Sequence, residues 1–220
     1  MSRQPPPFFI VGVPRSGTTL LTVLLNNHPV IFLDERAIAI RTLDFRQRVA
    51  RIRSRSGADT APEIWRRAAA PDSRLREFLN WDRLERHSGS LGEFVGASFH
   101  DRAVEHGKSI FGDKSPDAIT RLPELLSLFP QARIIHVVRD ARPNVASLVR
   151  RQYLDRKVAA QEWKDWNVLG VAAAEWQGTA RFHRLRYEDL LADPEQTLGA
   201  VCAFLGVPYT PAMLDLAGAK

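Results

Sequence analysis

The feature that most constrains the fold is a short apolar run feeding a glycine-bounded loop that opens directly into a helix. Phe8-Phe9-Ile10-Val11 is aromatic and β-branched and lies between Pro7 and Gly12, which predicts a strand. Gly12-Val13-Pro14-Arg15-Ser16-Gly17-Thr18-Thr19 follows. Leu20, Leu21, Val23, Leu24 and Leu25 then carry a helical pattern that stops at Asn27-His28-Pro29. A loop of this kind surrounds an anion with backbone N–H groups at a helix N-terminus, where the helix dipole also favours negative charge. The glycine spacing matches the nucleoside-triphosphatase loop, but the lysine position is Thr18. The basic group sits within the loop instead, at Arg15. That arrangement argues against an ATPase or GTPase and suits one phosphate carrying a transferable group.

Strand and helix signals alternate along the rest of the chain. Residues 30–33 read as a second strand, 109–112 as a strand end and 133–138 (RIIHVV) as a buried strand. Residues 182–187 read as a further strand. Ser115 is expected to cap a helix with Pro116 at its first position, and Asp140 to cap the next, with Pro143 in its first turn. Residues 157–178 are expected to be helical. Asp193-Pro194-Glu195-Gln196 has capping-box spacing, and Gly206 marks the end of that helix. The expectation is an α/β fold: a central, mostly parallel sheet flanked by helices, of the P-loop nucleotide-binding kind, with ligands at the carboxyl ends of the strands. One domain over 1–220 is expected, with a helical insertion at about 36–107.

Charge and cysteine content narrow the chemistry. Formal net charge is +6, and the surplus is largely Arg, which suits an anionic partner. The Arg-rich helices over 41–86 read as a solvated basic face, so no nucleic acid is expected. Cys202 is the single cysteine and sits in an apolar run, which makes it a core residue. No His/Cys cluster suggests a metal. No apolar run approaches a membrane-spanning length, and a cytoplasmic location is the default expectation.

Three motifs together carry a family resemblance. PRSGTT after an apolar strand resembles the 5′-phosphosulfate loop of sulfotransferases that use 3′-phosphoadenosine 5′-phosphosulfate (PAPS). Val138-Arg139-Asp140-Ala141-Arg142-Pro143-Asn144-Val145-Ala146-Ser147 resembles the 3′-phosphate site of the same family, where an Arg and a Ser eight residues later hold that phosphate. Arg186-Tyr187-Glu188-Asp189-Leu190, then Asp193-Pro194-Glu195 and Phe204-Leu205-Gly206, is similar to the family's late segment, where the tyrosine contacts the nucleotide. The resemblance implies transfer of a sulfuryl group from PAPS to a hydroxyl compound or peptide, with 3′-phosphoadenosine 5′-phosphate (PAP) as product and no metal. It assigns Arg15, Ser16, Gly17, Thr18 and Thr19 to the 5′ side, Arg139 and Ser147 to the 3′-phosphate, and Tyr187 to the nucleotide.

For the chemistry, Glu35 resembles the glutamate of carboxylate-dependent relatives and is the expected base, with Asp34 the close competitor. Lys114, in Gly112-Asp113-Lys114-Ser115-Pro116, resembles the family's DKSP segment and joins Arg15 as a catalytic cation. His100 and His106 sit in no convincing motif, and His136 is expected to be a satisfied core histidine. The tryptophan that some cytosolic relatives place just after the phosphate loop is Leu20 here. The chain ends at Lys220, where relatives commonly continue over the nucleotide. Trp65, Trp81, Trp163, Trp166 and Trp176 are expected mainly in the core. A non-catalytic nucleotide-binding relative and a P-loop kinase with an altered loop are the competing readings.

Overall fold

The computed structural model describes residues 5–55, 60–84, 87, 89–152 and 154–215. Five strands, β1 (Phe8–Gly12), β2 (Ile31–Asp34), β3 (Ile110–Lys114), β4 (Arg133–Val138) and β5 (Phe182–Arg186), form one sheet in the order β2-β3-β1-β4-β5. Every neighbouring pair is parallel. β1 is the centre of this sheet. Its alternate side chains feed two cores: Phe9 and Val11 enter one apolar cluster, Phe8 and Ile10 the other. Burial on both faces explains why β1 and β4 read as continuous apolar runs instead of alternating ones.

α1 (Thr18–Asn26) connects β1 to β2. Between β2 and β3 the described residues form five helices: α2 (Ile38–Arg53), α3 (Ala61–Ala69), α4 (Ser73–Phe78), α5 (Trp81–Leu84) and α6 (Leu91–Glu105). α3 and α6 start on capping boxes, Thr60 with Glu63 and Ser90 with Glu93, which satisfy N–H groups that a helix start leaves unpaired. A 3₁₀ turn (Pro116–Arg121) and α7 (Leu122–Leu128) lead to β4. α8 (Ala141–Gln152) and α9 (Arg156–Gln177) lie between β4 and β5. α10 (Tyr187–Ala192) and α11 (Pro194–Leu205) follow, with Gly206 ending α11 in the left-handed region at φ 77°.

Several expectations shift in detail. β3 runs on through Lys114, two residues past the predicted strand end. Ser115 caps no helix; its hydroxyl donates to Asp113 Oδ2 at 2.5 Å, and the turn it precedes is 3₁₀. β5 ends at Arg186, so Tyr187 opens α10 rather than closing a strand. His136 is fully buried as expected, but neither ring nitrogen has a hydrogen-bond partner. It is packed so closely on α9 that a Cβ at Gly170 would overlap its ring. Burial beside Arg184 pushes its pKa down to about 4. Cys202 is a core residue, and burial pushes its thiol up to about 11. Trp65 and Trp81 pack around Phe94, while the Trp176 side chain lies outside the described residues. No helix of the described residues is long and apolar enough to cross a membrane.

Candidate active site

Each strand delivers one element of the predicted site at or just past its carboxyl end. β1 ends in the phosphate loop, β2 is followed by Glu35, β3 ends in Lys114, β4 is followed by Arg139 and β5 by Tyr187. In a parallel sheet these ends converge on one rim. The crossover directions diverge on either side of β1, which opens the crevice where such folds bind ligands.

The loop conformation follows from its glycines and one strained residue. Gly12 has φ 145°, and a Cβ there would collide with the Val137 carbonyl of β4. Gly17 has φ 99° and is the N-cap of α1, and a Cβ there would overlap the Tyr187 ring. Arg15 is in the left-handed region at φ 70°, a conformation that costs a non-glycine residue free energy and persists only where neighbours enforce it. Those neighbours come from the segment after β4. Arg139 donates to the Arg15 carbonyl at 3.0 Å, and Asn144 donates to the Pro14 carbonyl at 3.3 Å. α1 begins with no side-chain cap and no acidic residue in its first turn, so its leading N–H groups remain available to an anion.

The two predicted phosphate motifs meet. Arg15 Nε donates to Ser147 Oγ at 3.2 Å across 132 residues of sequence. The Arg139 guanidinium lies 4.6 Å from the Tyr187 ring centroid, in cation–π contact. Trp163 Nε1 of α9 donates to the Arg139 carbonyl at 2.9 Å, and Glu188 accepts from the Asp140 N–H at 2.9 Å. Ser16 Oγ, Arg139 Nε and Asn144 Oδ1 are buried without a hydrogen-bond partner in the protein. Buried polar atoms are normally paired, and two of these three can donate. Together with Arg15, the α1 N-terminus, Thr18 and Thr19, the donor set fits a ligand with two anionic groups.

On the other side of β1, Lys114 Nζ lies 3.0 Å from Glu35 Oε2 and 3.5 Å from Thr19 Oγ1. Lys114 is largely buried and Glu35 is about half exposed. Glu35 and Asp34 have different surroundings. Asp34 is buried, accepts the Arg36 N–H at 2.7 Å and is held by the Arg36 guanidinium at 2.5 Å. His106 stacks on Phe32 and bonds the Arg102 carbonyl next to the start of β3, at the opposite end of that strand from Lys114. His100 lines a cleft with Pro7 and Phe129, where β1 begins. Among the described residues no cluster of three or more His, Cys, Asp or Glu could hold a metal ion.

Asn144, Trp163 and Asp113 were absent from the expected site. Asn144 lies inside the second motif and Asp113 beside Lys114, so adjacency was a signal for both. Nothing in the sequence points to Trp163, whose role depends on how α9 folds back over β4.

A family model described as "Sulfotransferase family" matches residues 6–211. Protein-tyrosine sulfotransferase 1 of Danio rerio is 27% identical over 222 residues, covering 97% of this chain and 56% of its own length. The Homo sapiens protein of the same name is 28% identical over 219 residues, covering 95% and 53%. The chain thus spans about half the length of the curated relatives it matches. Among solved structures, the sulfotransferase domain from the curacin biosynthetic pathway superposes with a TM-score of 0.69 at 24% identity, covering all of this chain and 80% of that one, which shows a shared fold. With the strand-end rim and the matched span together, the chain belongs to the sulfotransferase family.

Proposed function

We propose that the protein transfers the sulfuryl group of PAPS to an acceptor hydroxyl, with Glu35 as general base and Lys114 and Arg15 as stabilising cations. The observation that carries this reading is the position of Lys114, between the Glu35 carboxylate and the Thr19 hydroxyl of the phosphate loop. A carboxylate and an ammonium group side by side next to the loop assigned to the donor's 5′ end support this reading.

The bound donor supplies an activated sulfuryl group and a phosphate leaving group. Gly17, Thr18, Thr19, Ser16 and Arg15 hold its 5′ side, Arg139 and Ser147 its 3′-phosphate, and Tyr187 closes the site against Gly17. Glu35 accepts the acceptor's proton as the acceptor oxygen bonds to sulfur and the bond from sulfur to the bridging phosphate oxygen breaks. A sulfate ester and PAP leave. Lys114 has three N–H donors. Two are engaged by Glu35 and Thr19, so the third is available where negative charge develops. The names of the relatives make a tyrosine phenol the first acceptor to try, and the helices between β2 and β3 are the expected acceptor side.

The test has two arms. PAP at a hundred times its Kd should stabilise the fold by about 2.7 kcal/mol, and AMP should stabilise it much less. Equal thermal shifts would remove the role given to Arg139 and Ser147. Labelled PAPS should pass its sulfate to a tyrosine peptide, phenol or sugar. Tight PAP binding with no transfer to any acceptor class would leave a nucleotide-binding protein without this activity.

A further inference from the structure

We propose that Asp113 is a positioning residue for sulfuryl transfer, whose buried carboxylate clamps the start of α2 to the end of β3 and thereby holds Glu35 against Lys114. The inference rests on Glu35 being the base.

Asp113 is fully buried. Its carboxylate accepts the N–H of Ile38 at 2.8 Å, the N–H of Ala39 at 2.9 Å and the hydroxyl of Ser115 at 2.5 Å. Ile38 and Ala39 are the first two residues of α2, and Ala37, the N-cap, has no side-chain bond of its own and sits at φ 57°. Asp113 therefore caps α2 from a different strand, with its charge at the positive end of the helix. A carboxylate makes this clamp better than a neutral group, because it accepts from two adjacent N–H groups and a hydroxyl at once.

The geometry around it explains why the clamp bears on the reaction. Asp34 of β2 is in register with Asp113 of β3. Asp34 fixes Arg36 through its N–H and guanidinium, and Asp113 fixes residues 38 and 39. Glu35 thus lies just before a three-residue link pinned at both ends. Lys114 follows Asp113 on the strand, so one carboxylate sets the spacing between base and cation. Misplacement of about 1 Å at a reacting centre can cost about 10²-fold in rate. The charged groups facing Asp113 are Asp34 from β2 and Arg36 from the link, and burial is the main cause that lifts its pKa to about 6. A purely structural cap could be a serine or asparagine. An acid held this deep costs free energy unless its three bonds are kept.

Asp113→Asn retains one accepting oxygen but turns an amide N–H₂ toward a backbone N–H. With native protein and an acceptor that it sulfates, the variant should lose about 10–100-fold in single-turnover rate, with KM for both substrates and Kd for PAP within about twofold of native. A folded variant that binds PAP normally and keeps the native rate overturns the proposal. Equal losses in rate and PAP binding also overturn it, since that is general destabilisation. If Asp113→Asn does not fold, Ser115→Ala removes one of the three bonds and should slow turnover about threefold or more at unchanged PAP affinity; native turnover there is equally fatal. If native protein sulfates no acceptor, the functional reading fails instead. The clamp is then read by NMR from the contact between the Glu35 and Lys114 side chains. Asp113→Asn, or Ser115→Ala if the first does not fold, should weaken the nuclear Overhauser signal between the Glu35 and Lys114 methylene protons, and an unchanged signal overturns the clamp.

Discussion

The two halves of the sheet are built differently. On the β4–β5 side, the candidate nucleotide residues are tied to one another through the backbone. Arg139 and Asn144 hold carbonyls of the phosphate loop, Trp163 holds the carbonyl of Arg139, and Tyr187 lies against Gly17. On the β2–β3 side, Glu35 and Lys114 meet only through side-chain atoms, and Glu35 is half exposed. Backbone-anchored donors need little reorganisation when an anion arrives, whereas an ion pair between two side chains can be exchanged for new partners. The difference suits one half that recognises a fixed ligand and another whose backbone is pinned by Asp34 and Asp113 but whose side-chain tips can hand protons and charge between changing species.

The sharpest way to break this division is to substitute on the β2–β3 side. Glu35→Gln should reduce single-turnover sulfuryl transfer by about 10²–10⁴, and Lys114→Ala by about 10²–10³. PAP affinity, measured by calorimetry, should stay within a few-fold of native for both. A large loss of PAP binding in Glu35→Gln would show that the halves are not separate. On the β4–β5 side, Arg139→Ala removes a charge-assisted contact worth about 1.5–3 kcal/mol, so Kd for PAP should rise about 10–150-fold. Because Arg139 also supports the strained Arg15 carbonyl, affinity for AMP should fall as well, by less. Trp163→Phe keeps the packing and deletes one N–H. It should weaken PAP binding by about 0.5–1.5 kcal/mol, and no change at all would mean that α9 merely covers the Arg139 strand end.

How legible each half was in the sequence follows the same division. The loop from Gly12 to Thr19 and the run from Arg139 to Ser147 are contiguous, with residue types tied to backbone geometry and anion chemistry, so they could be located by pattern. Which of Asp34 and Glu35 stays exposed beside Lys114 could not. It depends on Asp34 being the last residue in register on β2, which buries its carboxylate against Arg36 and leaves Glu35 one residue beyond the strand. Ser115 was misread for a related reason. Ser-Pro is an ordinary helix start, but here the hydroxyl donates to a buried carboxylate within reach, and it accepts no N–H from the turn that follows. His136 could be placed in the core from its apolar neighbours. The lack of partners for its nitrogens depends on α9 bringing a glycine, and no polar group, over the ring.

That unpartnered imidazole has a thermodynamic counterpart in Asp113. His136 binds its proton at about 4 in the fold against an ordinary 6.5, so between those values the unfolded chain holds the extra proton. Its contribution to stability therefore rises with pH across that window and is lost on acidification. Asp113 is displaced the other way, to about 6 from 3.8, so in the fold it keeps a proton that the unfolded chain has released. Its contribution is present below about 3.8 and is lost as pH rises through about 6. The two displacements act with opposite sign over nearly the same range. Denaturant unfolding between pH 4 and 7 should expose the two slopes separately. Relative to native protein, His136→Leu should tilt the slope toward falling stability as pH rises, and Asp113→Asn should tilt it toward climbing stability. The two buried groups thus oppose each other: acidification weakens the fold through His136 and strengthens it through Asp113.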